Sequence, residues 1–184
     1  MKKLLSWFLI LQSFSLLTVG LYQLYLHETP TLLSFNNYSY AQPGIKTTDT
    51  EKSAPIRIAI PSLGINLPIF KSAIVNNVWQ TTDLGASYLT SSPLPGNEGN
   101  SIIYAHNWVS LFGPLQSSKV GQQVIVTYPN GEKETFVIAY TSIVSPDQST
   151  ILAPSKDKRI TLYTCTGLFD SHRFVAVALL KSSS

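Results

Sequence analysis

Apolar positions fall along this chain in two different patterns. From Leu4 to Leu26 they run together with no charged residue among them, and from Pro55 onward they alternate with polar positions over short stretches. The first pattern predicts a membrane-spanning helix, since a hydrocarbon core of roughly 30 Å takes about 20 helical residues. Lys2 and Lys3 stand in front of it and no basic residue follows until Lys46, which orients the amino terminus to the cytoplasm and the rest of the chain outside. A cleaved export signal has a shorter apolar stretch and a nearby small-residue site, so an uncleaved anchor is the expectation.

The second pattern predicts strands. Ile56, Ile58 and Ile60 alternate with Arg57 and Ala59, and Pro61 to Gly64 then make a turn. "QQVIVTY" and "KETFVIAY" flank Pro129-Asn130-Gly131, and Asn-Gly between two β-rich runs is a strong hairpin signal. "KRITLYTC" and "RFVAVALL" supply two more runs rich in β-branched and aromatic residues. Nothing between Pro55 and Leu180 sustains a helical period over ten residues, although a short helical turn fits Ser110 to Ser118. The expected fold class is all-β, a barrel or sandwich of many short strands. The stretch 27–54 is rich in Thr, Ser, Asn and Pro and reads as a linker. The expected order is therefore a cytoplasmic tail at 1–3, a transmembrane anchor at 4–26, an extracellular tether at 27–54 and a folded domain at 55–184.

Composition narrows the functional classes. With 44% apolar and 11% aromatic residues, the chain can bury enough surface to fold. Its net charge is only +3 and its 13 basic residues are scattered, which removes nucleic acid from the expected partners. No Cys-x-x-Cys or His-Glu-x-x-His spacing suggests a metal, nothing supports a calcium loop around Glu98, and no glycine-rich phosphate motif is present. No cofactor is expected.

One residue does change the picture. Cys165 is the only cysteine in a chain expected to lie mostly outside the membrane, where it cannot pair within its own chain and is either buried, linked to another chain or kept as a thiol for chemistry. On the strand 159–165, Ile160, Leu162 and Thr164 share one face while Thr161, Tyr163 and Cys165 share the other. If the next strand pairs with it across the loop 166–172, Arg173 comes to stand beside Cys165. A guanidinium there favours the thiolate and can donate to an oxyanion. A nucleophilic thiol also needs a proton carrier. Of the three histidines, His106 follows an apolar run in "GNSIIYAHNW", His172 sits in the loop beside Arg173 as a reserve, and His27 lies at the membrane end of the linker.

Taken together, "TLYTC", "HRFVAVA" and "GNSIIYAHN" resemble the sortases, membrane-anchored cysteine transpeptidases of bacteria. The family's Thr-Leu-x-Thr-Cys signature is met at Thr161, Leu162, Thr164 and Cys165, and the resemblance extends over Pro55 to Leu180, including "LFGPL" at 111–115 and Pro146-Asp147. It implies a closed eight-stranded β-barrel and a catalytic set of His106, Cys165 and Arg173, with Thr164 beside the nucleophile helping to position substrate. It further implies that Cys165 cleaves a Leu-Pro-x-Thr-Gly-like signal of an exported protein and passes the acyl group to an amine, from a peptidoglycan precursor or a pilin lysine. The lone cysteine makes sense in such an enzyme, because a second one nearby could trap it as a disulfide. The implied location is the bacterial cell membrane, single-pass, with the catalytic domain outside. Two other readings compete: a peptidoglycan L,D-transpeptidase, disfavoured because Arg173 follows Ser171-His172 where Gly-Cys would stand, and a non-catalytic anchored β-domain that scaffolds surface proteins.

Overall fold

The structure, a computed structural model, describes residues 2–27, 33–36, 38 and 53–181. Ten strands follow one helix: α1 (Lys2–His27), β1 (Arg57–Ile60), β2 (Ile65–Ser72), β3 (Ile74–Val75), β4 (Val78–Trp79), β5 (Ala86–Leu89), β6 (Gly99–Tyr104), β7 (Gln123–Thr127), β8 (Lys133–Val144), β9 (Lys158–Thr166) and β10 (His172–Leu180). Eight of them close a barrel in the order β1-β2-β5-β6-β9-β10-β8-β7, and β3 and β4 form a separate hairpin. The family-implied barrel is therefore present.

Local chemistry accounts for the short connections. Gly64, at φ 67°, ends the 3-10 turn of Pro61–Leu63 and returns the chain as β2 against β1. Asn130-Gly131 joins β7 and β8 as an antiparallel pair, with Gly131 at φ 84°. The expected helical turn near 110–118 is a 3-10 turn at Gly113–Ser117.

The barrel has two apolar layers. Ile58, Ile60, Leu67, Val124, Phe136, Ile138, Ile160, Leu162 and Ala176 fill its interior. A second buried cluster lies on the outer wall of β6, β9 and β10, where Ile102, Tyr104, Tyr163, Cys165, Val175 and Val177 meet Trp79, Leu152, Leu33 and Phe35. Those three strands are thus buried on both faces, and the polar residues they carry, among them Asn100, Ser101, Thr161, Thr164 and Arg173, are buried with them. At 25 cal/mol per Å² of apolar surface, each large side chain in this layer contributes about 1.5–3 kcal/mol.

The amino-terminal expectation needs correction. Residues 4–26 do lie within one helix, about 39 Å long at 1.5 Å per residue. Yet among the described residues no helix is long and apolar enough to cross a membrane. Gln12, Ser13, Ser15, Thr18 and Gly20 dilute the apolar run, and the hydroxyls of Ser13 and Thr18 turn back to donate to the carbonyls of Ile10 and Ser15, each at 2.9 Å. What the helix does present is a set of exposed apolar side chains, among them Trp7, Phe8, Phe14 and Leu17. Of the expected tether, only residues 27, 33–36, 38, 53 and 54 are among those described.

Candidate active site

β9 lies between β6, which runs parallel to it, and β10, which runs antiparallel. The β9–β10 hairpin sets Arg173 directly opposite Cys165, the pairing expected from the loop length. On the other side, the parallel ladder ends with Tyr104 beside Tyr163, and the Ala105 N–H still donates to the Tyr163 carbonyl at 3.4 Å. Two residues further along each chain come His106, past the end of β6, and Cys165, in the outer cluster. A cross-barrel row therefore reads His106, Cys165, Arg173.

The histidine is held from several directions. The Phe112 N–H donates to the His106 carbonyl at 3.1 Å, and the turn behind it closes through Leu111 and Gly113 N–H groups on the Trp108 carbonyl. Gly113 is required there, since a Cβ would stand 2.7 Å from that carbonyl oxygen. The imidazole stacks on Trp108 with centroids 4.8 Å apart, and Nε2 lies 3.2 Å from the Thr81 hydroxyl and 3.6 Å from the Asp83 carboxylate. An imidazolium formed here has a carboxylate within reach, though Asp83 is exposed and the pair is worth at most about 1 kcal/mol.

Arg173 is only 3% exposed. One terminal nitrogen donates to the carbonyls of Asp170 and His172, at 2.9 and 3.0 Å, and the other donates to the Ser34 carbonyl at 3.0 Å. Among the described residues its buried Nε has no hydrogen-bond partner, a donor left over for an incoming acceptor. Cys165 is a buried thiol, 3% exposed. Burial pushes its pKa up to about 12; the Arg173 charge acts against that rise and Asp170 adds to it. In this closed arrangement the sulfur is a neutral thiol.

Thr164 and His172 lie on the faces of their strands opposite to Cys165 and Arg173. Strand alternation turns Thr164 to the inner face, fully buried, where its hydroxyl donates to the Ala105 carbonyl at 2.9 Å. It fastens the histidine segment to the cysteine strand past the end of the ladder. His172 alternates to the face opposite Arg173, is exposed, and its Nδ1 meets the Ser171 hydroxyl at 2.9 Å. Among the described residues no group of three or more His, Cys, Asp or Glu could hold a metal.

Comparison with known proteins agrees with this architecture. A family model described as the sortase domain matches residues 58–181. The chain belongs to the sortase family. It is 30% identical to sortase A of Listeria monocytogenes over 130 residues, 68% of this chain and 56% of that protein. It is 29% identical to sortase A of Bacillus anthracis over 125 residues, 66% of this chain and 57% of that protein. The match thus spans little more than half the length of these relatives. Among solved structures, Listeria monocytogenes sortase A aligns with a TM-score of 0.58 at 29% identity, covering 71% of this chain and 89% of that one. Sortase A from Corynebacterium diphtheriae aligns at 0.62 and 27%, covering 73% and 64%.

Several residues of this sortase's site escaped sequence reasoning. Thr81 and Asp83 reach His106 from the loop before β5, and Trp108 stacks on it from two residues away. An aromatic at i+2 of a candidate base is a signal that could have been used for Trp108. Leu33, Ser34 and Phe35, within the stretch read as a linker, lie over the site itself.

Proposed function

We propose that this sortase is a cysteine transpeptidase in which Cys165, His106 and Arg173 act together on the sorting signal of an exported protein. The observation that carries the reading is the row of three: a thiol with a guanidinium opposite it on one neighbouring strand and an imidazole beyond the end of the other. Cys165 Sγ passes its proton to His106 and, as the thiolate, attacks the carbonyl carbon of the threonine in a Leu-Pro-x-Thr-Gly-like peptide. The tetrahedral oxyanion takes hydrogen bonds from the Arg173 guanidinium. Collapse breaks the Thr–Gly bond, and His106 gives its proton to the departing glycine amine. The resulting thioester is attacked by an acceptor amine, whose proton passes to His106 as the C–S bond breaks and Sγ leaves as the thiolate, which then takes that proton from His106 to restore the resting pair. The acceptor is a cell-wall precursor amine or a pilin lysine.

Thr164 contributes by holding the segment that carries His106, as its bond to the Ala105 carbonyl supports. The segment 145–157, between β8 and β9, forms one wall of the peptide cleft. The domain works at the outer face of a bacterial membrane, a location supported by family membership and by the exposed apolar side chains of α1.

The test is mass spectrometry of the full chain incubated with Leu-Pro-x-Thr-Gly-like peptides, with and without triglycine. A thioester adduct at Cys165 and an amine-dependent ligation product are expected, and both vanish in Cys165→Ala. A thiol that alkylates normally but forms no adduct with any peptide of the set, while partner binding survives in Cys165→Ala, would favour a scaffold instead.

A further inference from the structure

Trp108 fixes the plane of the His106 imidazole but not which edge it presents. The two rings stack with an interplanar angle of 14°, and a half-turn of the imidazole about its Cβ–Cγ bond would preserve that stacking while putting a ring carbon where Nε2 lies. What separates the two settings is the polar company of Nε2, the Thr81 hydroxyl at 3.2 Å and the Asp83 carboxylate at 3.6 Å. A ring carbon there would forfeit both. A carboxylate only accepts, and a neutral imidazole carries its single hydrogen on one nitrogen. Thr81 and Asp83 together therefore favour the tautomer with the hydrogen on Nε2, which leaves the lone pair on Nδ1.

These two residues belong to the loop between β4 and β5, and that loop is pinned immediately before them. The Gln80 N–H donates to the Ala73 carbonyl at 3.1 Å. The Gln80 carbonyl lies 2.5 Å from both the Ser72 and the Tyr104 hydroxyls, which are themselves 2.8 Å apart. Two hydrogens serve these three contacts, whether both hydroxyls donate to the carbonyl or one donates through the other, and each bond polarises the next. Tyr104 is fully buried, and burial raises its pKa and keeps its hydroxyl protonated. The Leu84 N–H donates to the Thr82 hydroxyl at 3.2 Å, closing the turn that carries Asp83. Tyr104 stands two residues before His106, so the strand that delivers the histidine also holds the loop that orients it.

We infer that Thr81, seconded by Asp83, is a positioning residue that holds His106 so that every catalytic proton moves through Nδ1. The inference rests on the transpeptidase reading, in which His106 exchanges protons with Cys165 and with the two amines. Nδ1 takes the Sγ proton before the thiolate attacks, and the ring becomes an imidazolium whose Nε2–H stays on Thr81 and Asp83. The Nδ1 proton then goes to the departing glycine amine. Nδ1 next receives a proton from the acceptor amine and returns it to Sγ, while Nε2 keeps its hydrogen throughout.

The test joins ring-nitrogen spectroscopy to ligation kinetics on the full chain in detergent. Long-range proton–nitrogen correlation spectra of nitrogen-labelled histidine, recorded at about pH 8 and so above the ordinary histidine value of about 6.5, report which nitrogen carries the hydrogen. The His106 signals are those lost in His106→Gln. Wild type should show Nε2–H, and the double variant Thr81→Val with Asp83→Ala should show both tautomers. Thr81→Val removes the hydroxyl and keeps the shape. It should cut kcat for ligating a Leu-Pro-x-Thr-Gly-like peptide to triglycine about tenfold at unchanged KM, the loss that follows from one hydrogen bond to a charged group. Thr81→Ser should restore most of that rate, and Asp83→Ala alone should cost about threefold, since its carboxylate is exposed. Nδ1–H in the wild type, an unaltered tautomer in the double variant, or equal losses in Thr81→Ser and Thr81→Val would overturn the inference. The spectra need no sorting peptide and decide the tautomer by themselves, so failure of the transpeptidase reading shows separately, as a wild type that makes no ligation product.

Discussion

Asn100 offers the sharpest test of how the wall of the cleft is fixed to the barrel. It is 1% exposed on β6, accepts a 2.7 Å hydrogen bond from the fully buried Thr161 hydroxyl on β9, and donates to the carbonyls of Ile151 and Ala153 at 3.3 and 3.2 Å. Asn100→Ala strands the Thr161 hydroxyl where water cannot reach it, a loss of about 1–3 kcal/mol. The two carbonyls lie nearer the surface and can be rehydrated, so each adds no more than about 0.5 kcal/mol. The sum is about 3 kcal/mol, or roughly a 10 °C fall in melting temperature at about 3–4 °C per kcal/mol for a domain of this size. Thr161→Val, measured in the same way, removes the donor and should cost about 1–2 kcal/mol. The double variant should cost less than the two together by about 1 kcal/mol, since neither partner is then left alone. Thermal melts and urea titrations supply all three values. A single-variant loss below about 0.5 kcal/mol, or strict additivity, would refute the claim that this network holds the 149–152 turn to the barrel.

Three further outcomes follow from the geometry. Alkylation of wild-type Cys165 should keep rising about tenfold per pH unit through pH 10, because burial places the folded pKa at about 12, above the ordinary thiol value near 8.5. By the same sign, the stability contributed by the neutral buried thiol is complete below the ordinary value and lost as pH climbs toward 12, and a rate plateau near pH 8.5 would contradict both. Gly96→Ala should lower stability by about 1–3 kcal/mol in a urea titration, since Gly96 has φ 83° and a Cβ there would overlap the Glu134 carboxylate that accepts from Tyr128 at 3.0 Å. Arg173→Lys should cut peptide ligation about a hundredfold in a single-turnover assay, because an ammonium cannot serve the Asp170, His172 and Ser34 carbonyls and still offer a donor to the oxyanion.

The parts of this molecule legible in the sequence are those governed by near neighbours. Asn130-Gly131 announced a hairpin because the turn's backbone demands those residues, and Cys165 could be set against Arg173 because the register of a hairpin is fixed by its loop. The closed barrel itself came from family resemblance, since no local signal reports that β1 pairs with β7. Other features depend on distant partners. The adjacency of β6 and β9 joins residues separated by an entire crossover, and periodicity says nothing about it. Leu33 and Phe35 are isolated apolar residues in a polar stretch, too few to form a pattern, and their burial is decided wholly by the surface they meet. The helix at 2–27 was legible as a helix, while its capacity to span a bilayer depended on how heavily its serines, threonine and glutamines weigh against the leucines.

The parallel pairing of β6 with β9 also has a consequence for how the protein comes into being. A hairpin such as β9–β10 can form on a microsecond timescale from contiguous chain, but β6 can dock on β9 only after the intervening segment has folded back across the barrel. Arg173 and Cys165 can therefore meet early, while His106 arrives only at closure. A nascent or partly folded chain carries a thiol and a cation without the imidazole. On the proposed mechanism, acyl transfer awaits the long-range pairing of β6 with β9 that brings the imidazole to the thiol.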